Sequence, residues 1–158
     1  MLEESLPFSN ITTFRFAKQP IPLPPDLRPM WKISQILLVL KMCSRSEKAS
    51  LLKLQLFNWA LASSDSMEQL ISYIRENEEG RKPNTIRLVP SLNRAVEFAV
   101  GEDLIDIDRS GKFTLTHTGD TLAKRIINDD ELFAAEKRSL RFLGLSVSEV
   151  KVKNLLKG

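Results

Sequence analysis

The stretch IDIDRSGKFTLTHTGDTLAKRI, Ile105 to Ile126, decides how the fold is read. Ile105 and Ile107 alternate with Asp106 and Asp108, a period of two with one apolar face. Arg109, Ser110 and Gly111 supply a turn, and Gly111 can take the positive φ that other residues resist. Phe113 and Leu115 then alternate with Lys112, Thr114 and Thr116. The Thr116 hydroxyl can accept a free N–H of the next helix, with Thr118 as a rival cap. Leu122 and Ile126, with Ala123 and Ile127, give that helix an apolar stripe. The segment reads as an antiparallel hairpin feeding a helix.

Upstream lie helix signals. The first helix begins near Pro29 or Met30 and ends near Cys43. Trp31, Ile33, Ile36, Leu37 and Leu40 make a broad apolar surface, which Leu38 and Val39 widen almost to full circumference, the pattern of a buried helix. Ser46 is a candidate cap for a second helix through KASLLKLQLFNWALAS. There Leu51, Leu52, Leu54, Leu56, Phe57, Trp59 and Ala60 leave little exposed. A third helix, MEQLISYIRENEEG, carries Met67, Leu70, Ile71 and Ile74 on one side and ends at Gly80. Thr85 to Val89 reads as a short strand. Pro90 opens the helix SLNRAVEFAVGED, with Leu92, Ala95, Val96, Ala99 and Val100 inward and Gly101 closing it. Expected core residues are Leu37, Leu54, Trp59, Val96, Ile105, Phe113 and Leu122.

The two ends differ in character. Residues 1–29 form a proline-rich N-terminal arm. ITTFRF could be a short strand, and Pro20, Pro22, Pro24, Pro25 and Pro29 forbid a continuous helix. IPLPP suits an extended polyproline conformation. Phe8, Phe14, Phe16 and Leu23 make the arm apolar enough to pack on its own domain or on a partner. Residues 129–158 read as a basic helical extension: ELFAAEKRSLRFL, then SVSEVKVKNLL with Ser146 or Ser148 as cap and Val147, Val150, Leu155 and Leu156 as a thin stripe. The chain's formal charge is +3, yet residues 133–158 alone carry six basic and two acidic side chains, so the other 132 residues sum to −1. A basic tail suits nucleic acid or an acidic partner.

Composition narrows the class further. The 158 residues are 42% hydrophobic and 27% charged, as in ordinary globular proteins, and suffice for one sizeable core. The run ILLVL is too short to span a bilayer, and MLEE does not begin like a signal peptide. With Cys43 as the single cysteine no internal disulfide can form, and a cytoplasmic setting is expected.

SLNRAVEFAVGEDLIDID followed by FTLTHTGDTL, with its Leu-Thr-x-x-Gly motif at Leu115, Thr116 and Gly119, resembles the winged-helix superfamily. The resemblance covers residues 30–128. It implies an α+β, mainly helical fold: a winged helix-turn-helix-like core, an antiparallel hairpin wing and extra terminal helices. Residues 91–100 would be the recognition helix, and Arg109, Ser110 and Lys112 would sit at the wing tip. The helix at 67–79 and TIRLV depart from the compact form of that domain, where two helices directly precede the hairpin. The layout also resembles small middle components that accompany ABC-type or structural-maintenance-type (SMC) ATPases in bacterial anti-phage systems.

Chemistry-bearing residues are sparse. His117 and Cys43 are each single, too few for a common structural zinc site. A Cys–His pair would need an orienting third group. No glycine-rich phosphate loop is present, and neither Asp106–Asp108 nor Asp129–Glu131 belongs to a metal motif. No catalysis, cofactor or metal is therefore expected. Two readings follow. In the first, the chain is a non-catalytic accessory or scaffold subunit, docking through Phe8, Phe14, Phe16, Leu23 and Phe98 onto a protein partner, an ABC/SMC-type ATPase or a second copy. In the alternative it is a DNA-binding transcriptional regulator. Asn93 and Arg94 would then face the groove, Arg109 and Lys112 would lie on the wing, and Lys137, Arg138, Arg141, Lys151 and Lys153 would lie along phosphates.

Overall fold

The computed structural model describes residues 29–76, 82–83 and 86–157. The expectations for the N-terminal arm, including Phe8, Phe14, Phe16 and Leu23, and for Gly80 and Thr85 lie outside the described residues.

Helix α1 (Pro29–Cys43) is the axis of the molecule. Every residue from Lys32 to Leu40 is buried, as expected for a helix apolar on nearly all sides. Helices α2 (Leu51–Leu61), α4 (Pro90–Gly101), α5 (His117–Asn128) and α6 (Ala134–Leu143) all pack against it. Two of its buried polar side chains find partners within the protein. Ser34 Oγ donates to the Met30 carbonyl at 2.8 Å, and Lys32 Nζ donates to Asn58 Oδ1 at 2.5 Å.

The link from α1 to α2 differs from the sequence expectation. Ser46 does not cap α2; it sits in a short 3-10 turn with φ +54°, followed by Glu47 at φ +58°. The cap is Ser50, whose hydroxyl accepts the Lys53 N–H at 3.1 Å. Between them Lys48–Ala49 form a two-residue strand, β1, too short to carry any periodicity in sequence. Leu51 and Leu52, expected inside, are exposed in the first turn of α2. Trp59 is half-buried at the edge of the core.

Helix α3 (Ser64–Arg75) starts earlier than expected, because the Ser63 hydroxyl caps it by accepting the Ser66 N–H at 3.1 Å. Its fully buried side chains are Met67, Leu70 and Tyr73. Ile86–Val89 is not a strand. Instead, the Gln55 amide takes the place of a strand neighbour: Oε1 accepts the Val89 N–H at 3.0 Å and Nε2 donates to the Val89 carbonyl at 3.1 Å.

Helix α4 ends in a Schellman motif. The Leu104 N–H donates to the Ala99 carbonyl at 2.9 Å and the Asp103 N–H to the Val100 carbonyl at 3.0 Å. The left-handed residue is Asp103 (φ +59°), not the expected Gly101. The hairpin forms as read, β2 (Ile105–Ile107) against β3 (Phe113–Leu115), with Ile105 opposite Leu115 and Ile107 opposite Phe113. Ile105 and Phe113 are buried, but Ile107 is exposed next to the turn, beyond the reach of the core. β1 pairs with β3 on its other side, giving an antiparallel sheet of order β1–β3–β2.

The Leu-Thr-x-x-Gly motif ties this sheet to α5. Thr116 Oγ1 accepts the Gly119 N–H at 3.0 Å and donates to the Asp103 carbonyl at 2.6 Å, while the Thr116 N–H reaches the Leu104 carbonyl at 3.1 Å. Gly119 lies so close to Leu104 that a Cβ there would stand 2.0 Å from the carbonyl oxygen. Only glycine permits that approach.

No break in packing follows residue 128. Leu140 and Leu143 of α6, then Val147, then Val152 and Leu155 of α7 (Glu149–Leu156), belong to the same core as α1. The expected apolar stripe of the last helix shifts: Val152 is buried, whereas Val150 points to solvent. Cys43 Sγ donates to the Leu140 carbonyl at 3.3 Å, and burial pushes its thiol up to about 12. Cys43 is a packing residue. The molecule is thus a mainly helical α+β domain with a small three-stranded antiparallel sheet.

Candidate functional site

Two neighbouring surfaces meet at α7. Ser148 caps this helix by accepting the Lys151 N–H at 3.2 Å. The Glu149 carboxylate anchors it to α2, accepting the Ser50 N–H at 3.0 Å and the Ser50 hydroxyl at 2.7 Å. One contact thereby joins the N-terminal ends of both helices.

On one side of that anchor lies a basic cleft of about 350 Å³, lined by Arg45, Ser46, Lys48, Lys53, Lys112, Leu145, Ser148 and Glu149. Lys53 forms its floor and is only 3% exposed. Burial lowers the Lys53 pKa; Glu149 works against that shift and Lys112 adds to it. Lys48 stands 3.4 Å from Asp108 Oδ2. Asp108 organises the adjoining turn, accepting the Ser110 hydroxyl at 2.6 Å and the N–H groups of Ser110 and Lys112 at 2.9 and 3.0 Å. These bonds, the Ser110 hydroxyl foremost, hold its carboxyl down at about 2.

On the other side lies an apolar groove of about 580 Å³, lined by Leu52, Ile86, Leu88, Val150, Lys153, Asn154, Leu156 and Lys157. Leu52, Leu88 and Val150 are 39%, 52% and 67% exposed. Lys153 and Lys157 give it a basic rim, and Lys82 Nζ donates to the Asn154 carbonyl at 3.2 Å beside it.

The residues singled out in the sequence are scattered among different roles. Asn93 Oδ1 accepts from Gln55 Nε2 at 3.1 Å, which ties it to the loop before α4. Arg94 is exposed on α4, and so are Glu97 and Phe98. Arg109 is exposed at the tip of the β2–β3 hairpin, while Lys112 is half-buried in the cleft wall. Arg138 and Arg141 are exposed on α6, Lys151 is half-buried on α7, and Lys153 lines the groove.

Lys137 is removed from the candidate phosphate contacts. It is 2% exposed, and its ammonium donates to the carbonyls of Ile126 at 2.8 Å, Ile127 at 3.4 Å and Asp129. It caps the C-terminal end of α5, where a cation meets the negative pole of the helix. Burial, with Arg141 nearby, pulls its pKa below the ordinary lysine range. Position in a basic run concealed this, because the sequence shows charge but not the carbonyls it serves.

Arg45, Lys48, Lys53, Leu88 and Glu149 escaped the sequence reading. Lys53 alone carried a signal: it is the one charged residue within LLKLQLF, where only Gln55 is otherwise polar. Among the described residues no group of three or more His, Cys, Asp or Glu is placed to hold a metal ion. No described helix is long and apolar enough to cross a membrane. No family model, curated protein or solved structure matches the chain.

Proposed function

We propose that the chain is a non-catalytic, winged-helix-type accessory subunit that docks an acidic, amphipathic protein segment in the groove between α2 and α7. The observation that carries this reading is the cluster of Leu52, Leu88 and Val150, large apolar side chains left in solvent around one concave surface. Apolar side chains gathered at one groove mark an interaction surface, whereas singly scattered ones do not. Lys153 and Lys157 on its rim select acidic flanks in the occupant. The winged-helix part of the reading rests on element order. A helix, a short strand, further helices and a hairpin follow one another, and the strand and hairpin form a sheet of order β1–β3–β2, with Asp108–Lys112 as the wing tip. An ABC- or SMC-type ATPase of an antiviral defence assembly is the partner that the resemblance of layout implies.

The alternative, a winged-helix DNA-binding regulator, has weaker support. The outward face of α4 presents Arg94 together with Glu97 and Phe98, and Asp106 adds negative charge beside it. Asn93 is engaged with Gln55 and Lys137 with three carbonyls. Purification from native lysate followed by mass measurement separates the readings. The wild type should run in a complex heavier than the chain itself, and a Leu88→Glu/Val150→Glu double variant should run free. A wild-type chain that stays strictly monomeric rejects the proposal.

A further inference from the structure

The basic cleft beside α7 is independent of the apolar groove and carries its own reading. Its walls hold four cationic side chains, Arg45, Lys48, Lys53 and Lys112, against one carboxylate, Glu149. That carboxylate is committed: both its oxygens accept from Ser50. Lys48 is ion-paired with Asp108 Oδ2 at 3.4 Å. Lys53 is different. Its side chain is buried at the floor of the cleft, and among the described residues its ammonium makes no hydrogen bond or ion pair, the one bond of Lys53 there being that of its backbone N–H to Ser50. An ammonium group is three donors and no acceptor, so one that opens into the cleft without a protein partner has its donors available to an anion. Burial, with Lys112 adding to it and Glu149 opposing it, pulls its pKa below the ordinary lysine range. A concave site lined by one sign of charge also concentrates its field.

We propose that this cleft binds the diphosphate or triphosphate group of a small molecule, with Lys53 meeting one phosphoryl group at the floor and Arg45, Lys48 and Lys112 meeting the next at the rim. The cations come from three separate places, the turn and strand after α1, the first turn of α2 and the residue just before β3. That spread suits a chain of phosphoryl groups better than a single one. Depth separates a small ligand from nucleic acid. A duplex is a convex rod whose phosphates can touch the rim side chains but cannot follow a concave wall down to a lysine that is 3% exposed.

The test is calorimetric titration of the full chain with inorganic pyrophosphate at low salt. ATP in a second arm distinguishes a nucleotide source from a free polyphosphate, since only the former gains affinity from its base. Duplex DNA fills a third arm. Lys53→Met, an apolar replacement of similar length, should weaken pyrophosphate at least about tenfold, which corresponds to ~1.4 kcal/mol. Lys48→Ala and Arg45→Ala, on the exposed rim, should each weaken it about threefold, which keeps the test decisive if Lys53→Met does not fold. Arg94→Ala, on α4, should leave binding unchanged. The proposal is overturned if wild type binds no pyrophosphate at millimolar concentration. It is overturned equally if the Lys53 and rim variants bind as wild type does, or if duplex DNA alone binds.

Discussion

Replacing Gly119 by alanine tests the joint between sheet and helix. The added methyl would stand 2.0 Å from the Leu104 carbonyl oxygen and 3.0 Å from its carbon, where ordinary contact begins at 3.4 Å. The neighbour is backbone, and that carbonyl also accepts the Thr116 N–H. It cannot swing away as a side-chain end would. Forced overpacking costs up to about 3 kcal/mol. Moving α5 back also strains the Thr116 cap, worth ~1 kcal/mol. Alanine returns ~1 kcal/mol of helix propensity. The balance is a loss of roughly 3 kcal/mol, taken as a sum of these ranges. Urea unfolding followed by circular dichroism measures it. Gly101→Ala is the matched control. That glycine is also helical, and a Cβ there meets nothing within 4 Å. It should be neutral or stabilising by up to ~1 kcal/mol. If Gly119→Ala unfolds within about 0.5 kcal/mol of wild type, inside the range of an ordinary surface substitution, the close approach does not hold the fold as described.

Lys137→Met should cost roughly 2–3 kcal/mol in the same assay, because it strips the donor from carbonyls at the end of α5; stability unchanged from wild type would return Lys137 to the surface. The Asp108 carboxyl, followed by NMR, should titrate at about 2 instead of the ordinary 3.8. Its folded pKa is depressed, so its stabilising effect is complete above the unfolded value and fades as pH falls from 3.8 towards 2; a midpoint near 3.8 would mean that the hairpin turn is open in solution. Cys43, buried with its thiol pushed up to about 12, should resist iodoacetamide at pH 8 in the native chain and react at once in denaturant; fast native labelling would contradict the packing of α6 on α1.

Local chemistry made much of the fold legible. The bounds of α1 were readable from Pro29 and Cys43, and the hairpin from its alternation. The Thr116 cap was readable too, because each depends on neighbours in sequence. What escaped depends on distant groups. β1 exists only because Lys48 and Ala49 meet Thr114 and Phe113. Ile86–Val89 looks like a strand but takes its hydrogen bonds from Gln55. Lys53 and Lys137 look alike in composition, yet one floors a cleft and the other caps a helix. The cleft and the groove are both made by α7 returning to α2 through Glu149 and Ser50, a contact across 99 residues that no window of sequence displays.

Docking through the α2–α7 groove is tested most directly by hydrogen–deuterium exchange on the chain free and in its native complex. The groove reading predicts slowed exchange in the complex at Leu52, Ile86–Val89 and Val150–Leu156, with α4 and the Asp108–Lys112 turn unchanged. Unchanged exchange along the groove, with protection confined to α4 and the hairpin turn, would contradict it and favour the DNA-binding alternative.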